Sequence, residues 1–187
     1  MRIASWNVNS VRSRMEQLTA WLARAAPDVI CMQETKVEDE LFPVQALEEV
    51  GYKCAFFGQK TYNGVCIAAR FGLPIEDVKK GMDSDAPDAQ RRVIAATIEG
   101  VRIVNVYVPN GEALDSPKYP FKLDWLERFH TEITTHYQPD QELMICGDFN
   151  VALETIDIAE PKRWEGQVLC TEAERAGVRK LLSFGLV

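Results

Sequence analysis

Two apolar runs of strand length, VICMQE (29–34) and LMICGDFN (143–150), each end on carboxylate or amide side chains. A run that is apolar at nearly every position, rather than at alternate ones, fits a strand covered on both faces. The chain between such runs changes period. From a start near Ser10, Val11, Met15, Leu18, Leu22 and Ala25 fall on one face at helical spacing, and Pro27 ends the pattern. Strand-length runs alternating with helical segments point to an α/β fold.

The remaining segments extend this reading. IASW (3–6) is a short strand ending at Asn7, and residues 39–49 read as a helix stopped by Gly51. YKCAFFG (52–58) and GVCIAAR (64–70), rich in β-branched and aromatic residues, read as neighbouring strands. DSDAPDAQ (83–90) is polar and turn-like. The run 92–109 breaks at Glu99-Gly100, as a hairpin between two strands would. A loop over 111–120 precedes an amphipathic helix with Leu123, Leu126, Phe129 and Ile133 inward. A long polar loop follows GDFN, and a final helix spans about Thr171–Ser183. Hairpins exclude a purely parallel sheet. The expected architecture is therefore stacked mixed sheets with helices outside, in a single domain over 1–187, with no repeat or linker.

Charge and cysteine usage narrow the function classes. The formal net charge is −7 and the pI about 5.0. A dedicated non-specific nucleic-acid binder is usually basic, because phosphate neutralisation drives its affinity. A cluster of carboxylates that binds a divalent ion is itself acidic, and the ion then brings positive charge to a phosphate. The five cysteines form no CxxC pair, so free thiols in a reducing cytoplasm are expected. Zinc is disfavoured, since His130 and His136 share one helical segment away from the cysteines. MRIASWNVNS turns polar too early for a signal core, and no apolar run approaches membrane-span length.

The chemistry sits at strand ends. One strand runs into Asn7 and Asn9, a second into Gln33-Glu34, a third into Gly147-Asp148-Phe149-Asn150. Strand tips on one sheet edge converge, and ligands of α/β folds often bind there. Glu34, Asp148, Asn7, Asn9 and Asn150 are all oxygen donors, suited to Mg²⁺ or Mn²⁺. Each has a plainer reading. Glu34 alone could be a helix cap or a surface charge, and Asp148 and the asparagines could be turn residues. Tyr107 could be a core aromatic with a bonded hydroxyl. Joint occurrence at three strand ends favours a site.

The strings SWNVNSVRSR, VICMQETK, NGVCIAAR, VNVYVPNG and GDFNVALETIDIAEPKRWEG resemble, in order and spacing, the motifs of the exonuclease III branch of the endonuclease/exonuclease/phosphatase superfamily. LCTEAERAGVRKLLSFGLV resembles the region that follows GDFN in that branch. The resemblance implies a DNase I-like four-layer α/β-sandwich, two stacked mixed sheets flanked by helices, here without its last strands. It implies Glu34 and Asn7 on the metal side. Tyr107, Asp148 and Asn150 are implied as catalytic: Asp148 prepares the attacking water, Asn150 positions phosphate and water, and Tyr107 contacts the scissile phosphate. Asn9 and Asn110 sit in the matched strings as phosphate-side residues. Arg12, Lys118 and Trp164 are candidate DNA contacts, with Arg14, Arg91, Arg92, Lys122, Lys162 and Arg163 as softer ones.

The implied activity is Mg²⁺-dependent hydrolysis of DNA 5′ to abasic sites, with removal of nucleotides or blocking groups from 3′ ends. The implied partner is duplex DNA, and a monomer is the default. Family members continue past GLV into a further aspartate and a terminal Asp-His pair, which have no match here, so a chain truncated at its C-terminus is expected. The alternatives are a phosphatase of the same superfamily acting on lipid or sugar phosphates, and an inactive scaffold.

Overall fold

The computed structural model describes residues 1–87 and 89–186. Asp88, within the turn-like 83–90 segment, and Val187, the end of the expected 1–187 domain, lie outside the described residues. The order of elements is β1 (Ile3–Asn7), α1 (Met15–Ala25), β2 (Val29–Gln33), α2 (Val44–Glu48), β3 (Tyr52–Phe57), β4 (Val65–Arg70), β5 (Glu76–Lys80), β6 (Val93–Ile98), β7 (Val101–Tyr107), α3 (Lys118–His136), β8 (Leu143–Asp148), α4 (Pro161–Trp164) and α5 (Glu172–Leu182).

The chain divides into two compact units. The first comprises Met1–Gly81, Asp85–Tyr107 and Glu142–Asp148, and holds the eight strands found among the described residues, with α1 and α2. Its sheets have the orders β1-β2-β4-β3 and β5-β6-β7-β8. Each is mixed: β1 is parallel to β2 and β7 to β8, while the other pairings are antiparallel.

Alternation along β2 explains its unbroken burial. Val29 and Cys31 face the second sheet, in a core with Val65, Ile67, Ile94, Ala96 and Ile103. Ile30 and Met32 face the other way, in a core with Leu18, Leu22 and Leu47 from the helices. Each such large aliphatic side chain contributes roughly 1.5–3 kcal/mol by leaving water. A buried polar bridge also joins the sheets: Gln33 Nε2 donates to Asn105 Oδ1 (2.7 Å), and Asn105 Nδ2 donates to the carbonyls of Met32 and Cys66. The hairpin turn lies where expected, with Glu99 (φ 52°) and Gly100 (φ 80°) both left-handed.

Two expectations are corrected, and one strand had no counterpart among them. The first helix begins at Met15, not Ser10, because Asn9 and Ser10 take positive φ and Val11 bonds to the Thr35 carbonyl instead. The segment 39–49 is a single 3₁₀ turn and a short helix, split where Pro43 follows Phe42 in extended backbone. The edge strand β5 was not foreseen, since EDVKK is almost wholly exposed and has no apolar alternation.

The second unit comprises Met82–Ser84, Val108–Gln141 and Phe149–Val187, with α3, α4 and α5. Here α3 and α5 pack closely: a Cβ at Gly177 would lie 3.0 Å from Leu126 Cδ1. Along α3 the inward face is Lys122, Trp125, Leu126, Phe129, Glu132 and Ile133, so Leu123 is displaced from it. α5 carries a capping box between Thr171 and Glu174. The five cysteines are free, and four of them are buried. Among the described residues, no helix is long and apolar enough to cross a membrane.

Candidate active site

In the first unit, four strand tips meet. The parallel pair β1–β2 brings Asn7 opposite Gln33, with Glu34 next. The parallel pair β7–β8 brings Tyr107 opposite Asp148. Asn7 Nδ2 donates to Glu34 Oε1 and to Asp148 Oδ2, each at 2.8 Å. Asn7 Oδ1 accepts from the Asn9 amide (3.0 Å), which fixes the orientation of the side-chain amide. The nitrogen of Asn7 thus faces the carboxylates.

The local backbone is shaped for this. Glu34 (φ 53°) and Asn9 (φ 43°) are left-handed, a conformation that is costly for most side chains and clusters at functional sites. Gly147 permits the last step of β8. A Cβ there would lie 2.0 Å from the Val106 carbonyl oxygen, so only glycine lets Asp148 follow at this spacing.

Lys36 was not singled out by sequence. Its ammonium lies 2.8 Å from Glu34 Oε2 and also bonds Asn9 Oδ1. A lysine two residues after a glutamate reads as a surface charge. What makes it a site residue is the left-handed turn at Glu34 and Lys36, which brings both side chains together.

Burial works to raise the Glu34 carboxyl. Bonds from Asn7, Lys36 and Tyr107, with the Lys36 charge, outweigh it and hold Glu34 below the ordinary carboxylate value. The Tyr107 hydroxyl is pushed up to about 12, first by burial, then by the charge of Glu34 and by its bond to Glu34. It therefore stays protonated and able to donate at neutral pH. Arg92 lies against the Tyr107 ring, 4.6 Å from its centroid, and donates to the Tyr107 carbonyl (3.1 Å). Arg12 is exposed on the turn ahead of α1 and takes no part in this network among the described residues.

In the second unit, Asn110 and Asn150 are joined. Asn110 Nδ2 donates to Asn150 Oδ1 (3.1 Å), and Asn150 Nδ2 donates to the Val108 carbonyl (3.0 Å). Lys122, expected among the softer DNA contacts, is corrected: it is fully buried and ion-paired with Glu174 at 2.6 Å. Lys118 is exposed and pairs with Glu112 at 3.1 Å. Trp164 ends α4 and is 38% exposed.

Metal-binding potential appears in two chemistries. Glu34 and Asp148 offer carboxylate oxygens, suited to a hard divalent ion, whereas Asn7, expected on the metal side as an oxygen donor, presents its nitrogen to them and has its oxygen bonded to the Asn9 amide. In the second unit, Asp83, Glu132 and His136 offer ligand atoms all within 4.8 Å of one another and could hold a metal ion. Their mixed nitrogen and oxygen set suits a transition metal better than magnesium. Glu132 and His136 are one helical turn apart on α3, but Asp83 lies far off in sequence, so the group was not legible there.

The sequence profile of the Endonuclease/Exonuclease/phosphatase family matches residues 4–168. Exodeoxyribonuclease III of Haemophilus influenzae is 32% identical over 201 residues, covering 100% of this chain and 73% of the relative. An AP endonuclease from Archaeoglobus fulgidus has a similar structure, with a TM-score of 0.92 and 41% identity, covering 98% of this chain and 70% of that one. So does a variant of the 3′ phosphatase NExo from Neisseria bound to a product DNA hairpin, with a TM-score of 0.91 and 40% identity, covering 98% and 71%.

Proposed function

Because the chain belongs to the Endonuclease/Exonuclease/phosphatase family, we propose that it is a DNA-repair phosphodiesterase of the exonuclease III type, using Glu34 and Asp148 as its reacting carboxylates. The observation that carries this reading is the single Asn7 amide shared by Glu34 and Asp148. It holds two half-buried carboxylates together, as hydrolysis of a phosphodiester requires of a metal ligand and a water-orienting group. We treat residues 1–187 as one domain, a reading supported by a family match that runs through both units.

Glu34 would hold Mg²⁺, or Mn²⁺ in its place, with Asn9 nearby. When bound, the ion would polarise a phosphoryl oxygen and offset charge on the leaving oxygen. Asp148 is kept in place by Asn7 and accepts a hydrogen bond from the attacking water. Tyr107, protonated at neutral pH, would turn its single O–H from Glu34 to the phosphate oxygens as charge grows on them. Asn150 and Asn110 supply amide donors to phosphate, and Arg12, Lys118 and Trp164 meet the flanking DNA. The ester broken lies 5′ to an abasic site or at a 3′ end.

Supporting relatives carry three related activities in their names: exodeoxyribonuclease, AP endonuclease and 3′ phosphatase. All three attack a phosphorus ester on DNA. We place the protein as a monomer acting on duplex DNA, and its free thiols suit the cytoplasm.

The test presents the complete protein, with Mg²⁺, with four substrates. These are duplexes bearing one abasic analogue, a recessed 3′ end or a 3′ phosphate, and inositol phosphate. Cleavage of any of the duplexes supports the reading. Turnover of inositol phosphate with all duplexes intact would overturn it.

A further inference from the structure

Lys122 is 0% exposed, and its ammonium has three acceptors in the second unit. Nζ donates to the Asn110 carbonyl (3.1 Å), the Asn150 carbonyl (2.5 Å) and Glu174 Oε1 (2.6 Å). The asparagines so bound belong to two separate loops, the one after β7 and the one after β8. Glu174 is also 0% exposed and heavily engaged. Its Oε1 accepts from the Leu169 amide (2.9 Å), and its Oε2 accepts from the Thr171 amide (3.0 Å) and hydroxyl (2.7 Å). Gly111 lies against the lysine stem: a Cβ there would be 3.2 Å from Lys122 Cδ, and its φ is +93°.

We infer that Lys122, anchored by Glu174, is a positioning residue that sets the spacing and orientation of the Asn110 and Asn150 side chains. This rests on the proposed role of those asparagines. A buried ion pair is weak as a source of stability, because desolvation offsets its attraction. A fully desolvated ammonium is nevertheless directional when all its donors are used, since any displacement strands a charge. Here the donors run to backbone carbonyls on both loops. The same loops are joined a second time by the Asn110–Asn150 side-chain bond. Two links, one at the main chain and one at the side chain, leave each amide little freedom to turn. Preorganised donors of this kind act mostly in the transition state, so their loss appears in kcat more than in KM.

The experiment measures kcat and KM of the complete protein on duplex DNA with one abasic analogue, for wild type, Lys122→Met, Asn150→Ala and the double variant. Thermal unfolding checks that each is folded. Lys122→Met is expected to lower kcat about tenfold or more, with KM changed less than about threefold. The double variant is expected to be little worse than Asn150→Ala alone, because both changes remove one function. Should Lys122→Met not fold, Lys122→Arg takes its place. It keeps the charge with altered donor geometry, and its kcat must also fall. A folded variant with kcat within about twofold of wild type, or with a loss that multiplies fully with that of Asn150→Ala, overturns the positioning role. If Asn150→Ala itself leaves kcat unchanged, the assignment of Asn150 fails, and the inference fails with it.

Discussion

Asn7 Nδ2 lies 2.8 Å from a carboxylate oxygen of Glu34 and 2.8 Å from one of Asp148, so one amide links the ends of two different sheets. The substitution Asn7→Asp removes both donated bonds and sets a third carboxylate between the first two. Like charges at this distance disfavour ionisation of the group. Mg²⁺-dependent cleavage is expected to fall by roughly 10–100-fold, as for loss of a group supporting a metal ligand. Steady-state rates on an abasic duplex read this, and a rate within about twofold of wild type would contradict it.

Lys36 holds its ammonium 2.8 Å from Glu34 Oε2, the carboxylate proposed to hold the metal. A divalent ion binding to Glu34 has to displace that ammonium or repel it. Lys36→Met should therefore bind Mn²⁺ at least roughly threefold more tightly by calorimetry, since a nearby positive charge is gone. Unchanged or weaker binding would show that Lys36 and the ion do not compete.

Tyr107 is raised from an ordinary value of 10.0 to about 12. Its folded-state value is the higher one, so its contribution to stability is fully present below pH 10 and fades as pH rises towards 12. Thermal unfolding of wild type and Tyr107→Phe across this window should show a steeper fall for wild type. Parallel curves would mean that Tyr107 titrates like an exposed phenol.

Gly147 sits where a methyl group would overlap the Val106 carbonyl at 2.0 Å, with φ at +144°. Gly147→Ala must push β8 away from β7 just before Asp148. A loss of at least about 2 kcal/mol is expected, from strain at a special backbone position. Denaturant titration measures it, and a change below about 0.5 kcal/mol would refute the close approach.

Much of the first unit was legible because its signals are local. Apolar runs with polar tips mark β1, β2 and β8, and Glu99-Gly100 marks the hairpin. The carboxylates and Asn7 followed from those tips, and the comparisons bear out the family and the paired mixed sheets. What escaped depends on distance in the chain or on exposure. Lys122 and Glu174 are 52 residues apart, and a lysine on an amphipathic helix normally points to water, so nothing local marked its burial. Asp83 reaches His136 across 53 residues for the same reason. β5 escaped because an exposed edge strand carries charges where a buried strand carries aliphatics. Pro43 is a local signal, and it divides the expected 39–49 helix.

The most direct measurement is single-turnover cleavage of a duplex containing one abasic analogue by the complete protein, with Mg²⁺ and with chelator, for wild type, Glu34→Gln and Asp148→Asn. Wild type should cut only with Mg²⁺. Each variant should be slower by about 100-fold or more while unfolding at nearly the wild-type temperature. Cleavage that persists in chelator, or a folded Glu34→Gln or Asp148→Asn variant cutting at the wild-type rate, would contradict a metal-assisted site built on the Glu34–Asn7–Asp148 link.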